Sequence, residues 1–140
     1  MTIGNESIFV PHGTELALHF NDFRVTEDFS LKEFQCPCCH AVVLSRRLTA
    51  LLQLLRDRLG EPLVVASGYR CSTMNEAVGA DAASLHRCGL AVDIAVCACR
   101  QEDFCKKALQ TGFSKARPNS MRGYVHLEAW PEKTGVVIYA

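Results

Sequence analysis

Leu90-Ala91-Val92-Asp93-Ile94-Ala95-Val96 is an apolar run with a single carboxylate inside it, and Tyr124-Val125-His126-Leu127-Glu128 is a second short run of the same kind. A strand turns its side chains alternately to two faces. Ala91, Asp93 and Ala95 then share one face of the first run, and Val92 and Ile94 the other. In the second run His126 and Glu128 share a face, opposite Val125 and Leu127. A charged carboxylate in such surroundings is costly unless it is paired or bound to a cation. The small alanines leave room around it. The two runs therefore read as neighbouring strands with one apolar face and one polar centre.

His86 lies seven residues before Asp93, and Gly89 can turn the chain between them. His86, Asp93 and His126 together offer two imidazoles and one carboxylate. That is a three-ligand set for a zinc ion with a fourth position left open, whereas structural zinc sites are usually closed by four protein ligands. The pattern points to metal-assisted hydrolysis. The competing reading is two ordinary histidines and a turn acid.

Outside these runs, Leu48, Leu51, Leu52, Leu55 and Leu59 fall on one helical face. Ser45 can cap that helix, and Gly60 and Pro62 end it. Leu63–Ser67 reads as a short buried strand. Ser72–Ala83 reads as loop, with one helical turn around Met74-Asn75-Glu76. Gln101–Thr111 reads as a second amphipathic helix with Phe104, Cys105, Ala108 and Leu109 inward. Arg117–Arg122 reads as a polar loop and Val136–Tyr139 as a further strand. Ser30-Leu31-Lys32-Glu33 resembles a capping box at a short helix start. Strands and helices do not alternate as a doubly wound sheet requires. The expected class is α+β, a small mainly antiparallel sheet with helices packed on one side.

The chain has 140 residues, 49% of them hydrophobic and 21% charged, which suits one globular domain over residues 1–140. Fifteen basic and fifteen acidic residues balance, so no whole-chain basic field attracts nucleic acid or anionic lipid. No secretory signal and no membrane span are read in the sequence. Synthesis in the cytoplasm and a monomeric state are the expectations.

Ser67-Gly68-Tyr69-Arg70, Asn75, Gly79, Ser84-x-His86-x-x-Gly89-x-Ala91-x-Asp93 and Tyr124-Val125-His126-Leu127-Glu128 resemble the zinc D-alanyl-D-alanine carboxypeptidase family. Phage endolysin endopeptidases belong with it, and its metal-site fold is shared with the Hedgehog signalling domain. The resemblance runs from about Phe29 to Glu128. It implies that His86, Asp93 and His126 hold zinc and that Arg70 binds a substrate carboxylate or carbonyl. It implies that Ser84 supports the first ligand or hydrogen-bonds substrate. The implied partner is a peptidoglycan stem peptide or another D-Ala-terminated peptide, reached by release to the cell wall of the phage or prophage type. Arginine is the residue suited to bidentate carboxylate recognition.

The best-known members carry an acid three residues before the last histidine, where this chain has Gly123. A zinc peptidase needs a base to move a proton from water to the leaving amine. Glu128 is the nearest acid on the metal-facing side, either as that base or as a group orienting a histidine. His12, His19 and His40 are further candidates that nothing in the sequence places. Three functions compete: a zinc peptidase cutting cell-wall peptides, a catalytically impaired zinc-binding module, and a zinc-stabilised interaction domain.

Eight cysteines are present, and Cys36-Pro37-Cys38-Cys39-His40 gathers soft ligands tightly. Free thiols are the favoured reading, then a disulfide such as Cys36 with Cys71. A second metal at Cys36, Cys38 and Cys39, completed by Cys71, comes last, because adjacent Cys38 and Cys39 do not easily face one ion.

Overall fold

Ser45 closes one element and opens the next. It is the last residue of strand β3 (Val42–Ser45), and its hydroxyl caps helix α1 (Arg46–Leu59) by accepting from the Leu48 amide at 3.4 Å. Leu48, Leu51, Leu52 and Leu55 of α1 are buried, with Leu59 packed at the margin. Gly60 ends the helix at φ 67°, its amide donating to the Arg56 carbonyl. The computed structural model describes residues 2–3, 7–10 and 23–130. The expected Val136–Tyr139 strand lies outside them, as do His12 and His19.

Two antiparallel sheets result. Strands β1 (Thr2–Ile3) and β2 (Ser7–Val10) join β3 in the first. β3 carries no alternation in its sequence, because all four of its residues are buried. The second sheet orders β4 (Val65–Ser67), β5 (Ala91–Ala95), β7 (Tyr124–Glu128) and β6 (Lys115–Asn119) as β4-β5-β7-β6. Helix α2 (Ser72–Ala77) follows β4, and helix α3 (Gln101–Thr111) lies between β5 and β6. Short 3-10 helices cover Leu31–Phe34 and Leu85–Cys88. In the first, the Ser30 amide donates to Glu33 Oε2 at 2.7 Å, the glutamate arm of the expected capping box. The class is α+β, as expected.

Val92, Ile94, Val125 and Leu127 are fully buried on one face of the second sheet, against the leucines of α1 and Phe104 and Ala108 of α3. The register pairs Asp93 with His126, Ala91 with Glu128, Arg117 with His126 and Ser67 with Asp93. The other face thus collects the polar side chains, free of helices α1 and α3.

Three expectations need correction. Arg117–Arg122 is not simply loop: Lys115–Asn119 forms the edge strand β6, and only the residues after it turn. Its lysine, arginine and proline suit an edge, where charge and a missing amide discourage pairing with another chain. β4 is not buried but is the opposite, half-exposed edge, with a register irregularity between Val65 and Ser67. Leu109 is 49% exposed rather than inward, because Gln101 and Phe104 take the buried face of α3.

Gly89 brings the turn before β5 hard against β3. Its φ is +71°, and a Cβ there would sit 2.4 Å from the Val43 carbonyl oxygen of β3. Its own carbonyl accepts from the Ser45 amide at 3.0 Å. Gly60 has a similar φ of +67°, but a Cβ there would meet nothing within 4 Å. Gly60→Ala should cost about 1–2 kcal/mol, the ordinary left-handed penalty. Gly89→Ala should cost clearly more, because backbone must also move. Urea midpoints of the two variants measure the difference, and equal losses would mean the β3 contact contributes nothing.

Candidate metal centre

The Leu85–Cys88 turn delivers His86 to the polar face of the sheet. Ser84 caps this turn, its hydroxyl accepting from the His86 amide at 3.3 Å. The Arg70 amide donates to the His86 carbonyl at 3.3 Å, tying the turn to the loop after β4. His86 Nδ1 lies 2.7 Å from the Gly68 carbonyl oxygen. A carbonyl only accepts, so Nδ1 carries the hydrogen and Nε2 of the neutral ring presents a lone pair. A side chain at Gly68 would sit 2.6 Å from Phe34 Cα, so glycine lets this carbonyl approach the imidazole.

His86, Asp93 and His126 are 1%, 7% and 9% exposed. Asp93 Oδ1 lies 3.3 Å from His86 Nε2 and 2.8 Å from His126 Nδ1. One ligand atom from each residue falls within 4.8 Å of the others, a set that can hold a metal ion. His86 Nε2 has no hydrogen-bond partner among the described residues although it is buried. A buried lone pair aimed at a carboxylate oxygen is unfavourable unless a cation lies between them. The donor set and its tautomer therefore fit a borderline ion such as zinc, which takes imidazole and carboxylate together.

His126 is held at both nitrogens. Nε2, on the far side of the ring from Asp93, lies 2.8 Å from Glu128 Oε2. Glu128 Oε1 in turn lies 3.8 Å from Lys115 Nζ. When no ion is bound, two carboxylates face this ring and both nitrogens donate. Burial pushes the His126 pKa down, but the hydrogen bonds to Asp93 and Glu128 outweigh it and raise the value above its ordinary 6.5. Burial likewise pushes Asp93 up, but the hydrogen bond and the charge of His126 prevail and hold it at about 2.

The triad opens into a cleft of about 980 Å³. Arg70 and Ser84 line it, and so do Tyr124, Arg117 and Arg122. Arg70 is half-buried, and its Nε is buried without a hydrogen-bond partner among the described residues. Arg117 is a site-face residue that reading 117–122 as loop concealed; recognising an edge strand would have put it beside His126. Asp81 also lines the cleft, its Oδ1 accepting from the Ala83 amide at 2.8 Å. Gly123, where the family resemblance places an acid, sits in the turn before β7 at φ +73°. His40 lies in the tight turn that carries Cys36, Cys38 and Cys39. That turn brings the three sulfurs and Cys71 within 4.8 Å of one another. Adjacent Cys38 and Cys39 both belong to this group, contrary to expectation, and no disulfide links any described cysteine.

A family model described as peptidase M15 matches residues 16–128. No curated protein matches the chain.

The Asp93–His126 pair predicts the pH response of chelator-treated protein. A depressed carboxyl contributes stability above its unfolded value of 3.8, lost as pH falls through about 2. A raised imidazole contributes below 6.5, lost as pH rises through the raised value. The pair is thus at full strength from pH ~4 to ~6.5. The advantage of wild type over Asp93→Asn in thermal melts should shrink between pH ~6 and ~9. Added zinc should do the reverse, raising the melting temperature more at pH ~8 than at ~6, since ligands must be deprotonated. A pH-independent advantage would refute the pairing.

Proposed function

This chain belongs to the peptidase M15 family, and we propose that it is a zinc-dependent peptidase acting on the peptides of bacterial cell walls. The observation that carries the reading is the buried His86–Asp93–His126 set, with the His86 Nε2 lone pair unpartnered and aimed at Asp93. His86 Nε2, Asp93 Oδ1 and His126 Nδ1 would hold the ion. Zinc there supplies Lewis acidity for attack of water on a peptide carbonyl.

The chain's own residues do the rest. Gly68 O fixes the His86 tautomer, and Glu128 fixes the His126 ring from its far nitrogen. Such outer partners set ring orientation and ligand basicity. The position of Glu128 favours orientation over proton transfer. Asp81 is the cleft carboxylate that neither histidine engages. Arg70 receives the substrate carboxylate, its buried Nε supplying a donor that no described residue uses. The substrate class is a peptidoglycan stem peptide with D-Ala at or beside the cut, taken by carboxypeptidase or endolysin-type endopeptidase action. The site of action is then the wall, reached by phage- or prophage-type release.

A second reading has a specific observation behind it. With glycine at position 123 and Glu128 committed to His126, the domain is a zinc-holding module that binds wall peptides without cutting them.

Steady-state hydrolysis of purified peptidoglycan and of D-Ala-D-Ala stem peptides, with zinc content measured in parallel, separates the two. Arg70→Ala should keep its zinc and lose about ten- to hundred-fold in kcat/KM, for a charge-assisted bond of ~1.5–3 kcal/mol. Glu128→Gln should weaken zinc ~10- to 100-fold. A Glu128→Gln enzyme with full zinc and turnover lowered by ~10²–10⁴ would instead make Glu128 the base. Asp81→Asn tests the remaining cleft carboxylate. Wild type that holds zinc, binds stem peptide and hydrolyses neither substrate is the binding module.

A further inference from the structure

Four cysteines converge in a group that shares no residue with the histidine triad. The Sγ atoms of Cys36, Cys38 and Cys71 form a nearly equilateral triangle with edges of 3.4, 3.5 and 3.3 Å. Cys39 Sγ completes a set in which all four sulfurs lie within 4.8 Å of one another. We propose that Cys36, Cys38, Cys39 and Cys71 form a structural zinc site, separate from the cleft.

The geometry is that of ligands around a point. Four thiolates at ~2.3 Å from zinc in a tetrahedron are ~3.8 Å apart. The observed edges are close to this and nearly equal. A cluster poised for a disulfide would single out one pair and leave the others apart. Packed free thiols would be expected to bury their sulfurs among apolar side chains. Here Cys36 and Cys39 are buried, yet exposed Cys38 turns its sulfur to the same centre.

The backbone is shaped to gather them. The His40 amide donates to the Cys36 carbonyl at 2.8 Å, and the Cys36 amide to the Ala41 carbonyl at 2.7 Å. His40 takes a positive φ of 62°, closing a turn that points sulfurs of neighbouring residues inward. Cys71 caps helix α2, its Sγ accepting from the Met74 amide at 3.4 Å. Binding would release the thiol protons to solvent, and a site closed by four protein ligands leaves no position for water. Its task is to hold structure.

What it would hold is the wall of the cleft. Cys71 follows Arg70 directly. Pro37 of the cysteine turn and Met74 of α2 both line the cleft, and Tyr69, Cys71 and Met74 pack on Cys36, Cys39 and Ala41. An ion here joins two chain segments 35 residues apart and fixes the loop that presents Arg70.

Elemental analysis of the purified full chain should find about two zinc equivalents, one for each closed or open ligand set. His86→Ala should lose one and keep the other. Cys38→Ser, at an exposed position, and Cys71→Ser should lose the complementary one. If the serine variants fail to fold, cobalt decides on foldable protein. Cobalt-loaded His86→Ala should keep a sulfur-to-cobalt charge-transfer band in the near ultraviolet, which a histidine–carboxylate site cannot give. A His86→Ala protein without zinc and without that band overturns the proposal. So does a disulfide among these cysteines, found by non-reducing mass spectrometry of the purified chain.

Discussion

The arrangement depends on one buried carboxylate. Asp93 lies in an apolar strand with its neighbours Val92 and Ile94 committed to the core, so it cannot turn to solvent. An ionised carboxylate at that depth is tolerated only with positive charge against it. The fold supplies it through His126. β7 pairs in a register that sets His126 opposite Asp93, and the Ser84-capped turn brings His86 over the same oxygen. Everything that fixes the register of β5 against β7 also fixes the distance between the imidazoles, whose ring centroids are 5.2 Å apart.

The sheet divides the labour between its faces. Val92, Ile94, Val125 and Leu127 anchor it to α1 and α3, and a slip of one residue would expose all four and bury the polar set. Stability and site geometry are therefore enforced by the same pairing. The edges then place charges that the core does not need. β6 aligns Lys115 with Glu128 and Arg117 with His126, and β4 aligns Ser67 with Asp93. The irregularity between Val65 and Ser67 falls where β4 runs beside Asp93, a common location for bulges near functional sites.

Much of this is legible in the residues. Alternation in β5 and β7 assigns the faces, and the leucine spacing with Ser45 and Gly60 marks α1 almost to its ends. Asp93 announces a site because so few partners surround it in sequence. The misses share a physical cause. β3 has no period to read, since both of its faces are covered. β6 is as polar as a loop because it is an edge, and it forms only because β7 is there to pair with. Leu109 loses the core to Gln101, whose amide donates to the carbonyls of Val96 and Asn119 at 2.9 and 3.0 Å. The cysteine turn escapes the reading because adjacency implies opposed side chains in extended backbone, whereas the chain at His40 turns through a positive φ. Each of these depends on contacts distant in sequence or on a backbone turn that residue spacing does not reveal.

The same distinction bears on the question of the proton-transfer group. In a strand, Tyr124, His126 and Glu128 face the site together, and position 123 is out of phase with them. Gly123 is also in the left-handed turn that closes the β6–β7 hairpin, its amide donating to the Asn119 carbonyl at 2.9 Å. A carboxylate there would need both a strained backbone and a change of direction to reach the histidines' side of the sheet. The hairpin as built has therefore moved any acid out of that position. Glu128 is on the correct face but spends one oxygen on His126 and sets the other toward Lys115. Taking a proton from water would require it to release the ring that it orients. Among the described residues, the cleft's remaining acidity comes from Asp81, on the loop between α2 and the His86 turn rather than in the sheet. A base held there would share its loop with Ser84, whose amide donates to the Asp81 carbonyl at 2.9 Å, so one loop would carry both groups. That loop is braced by Asn75, whose side-chain amide also donates to the Asp81 carbonyl, at 2.8 Å.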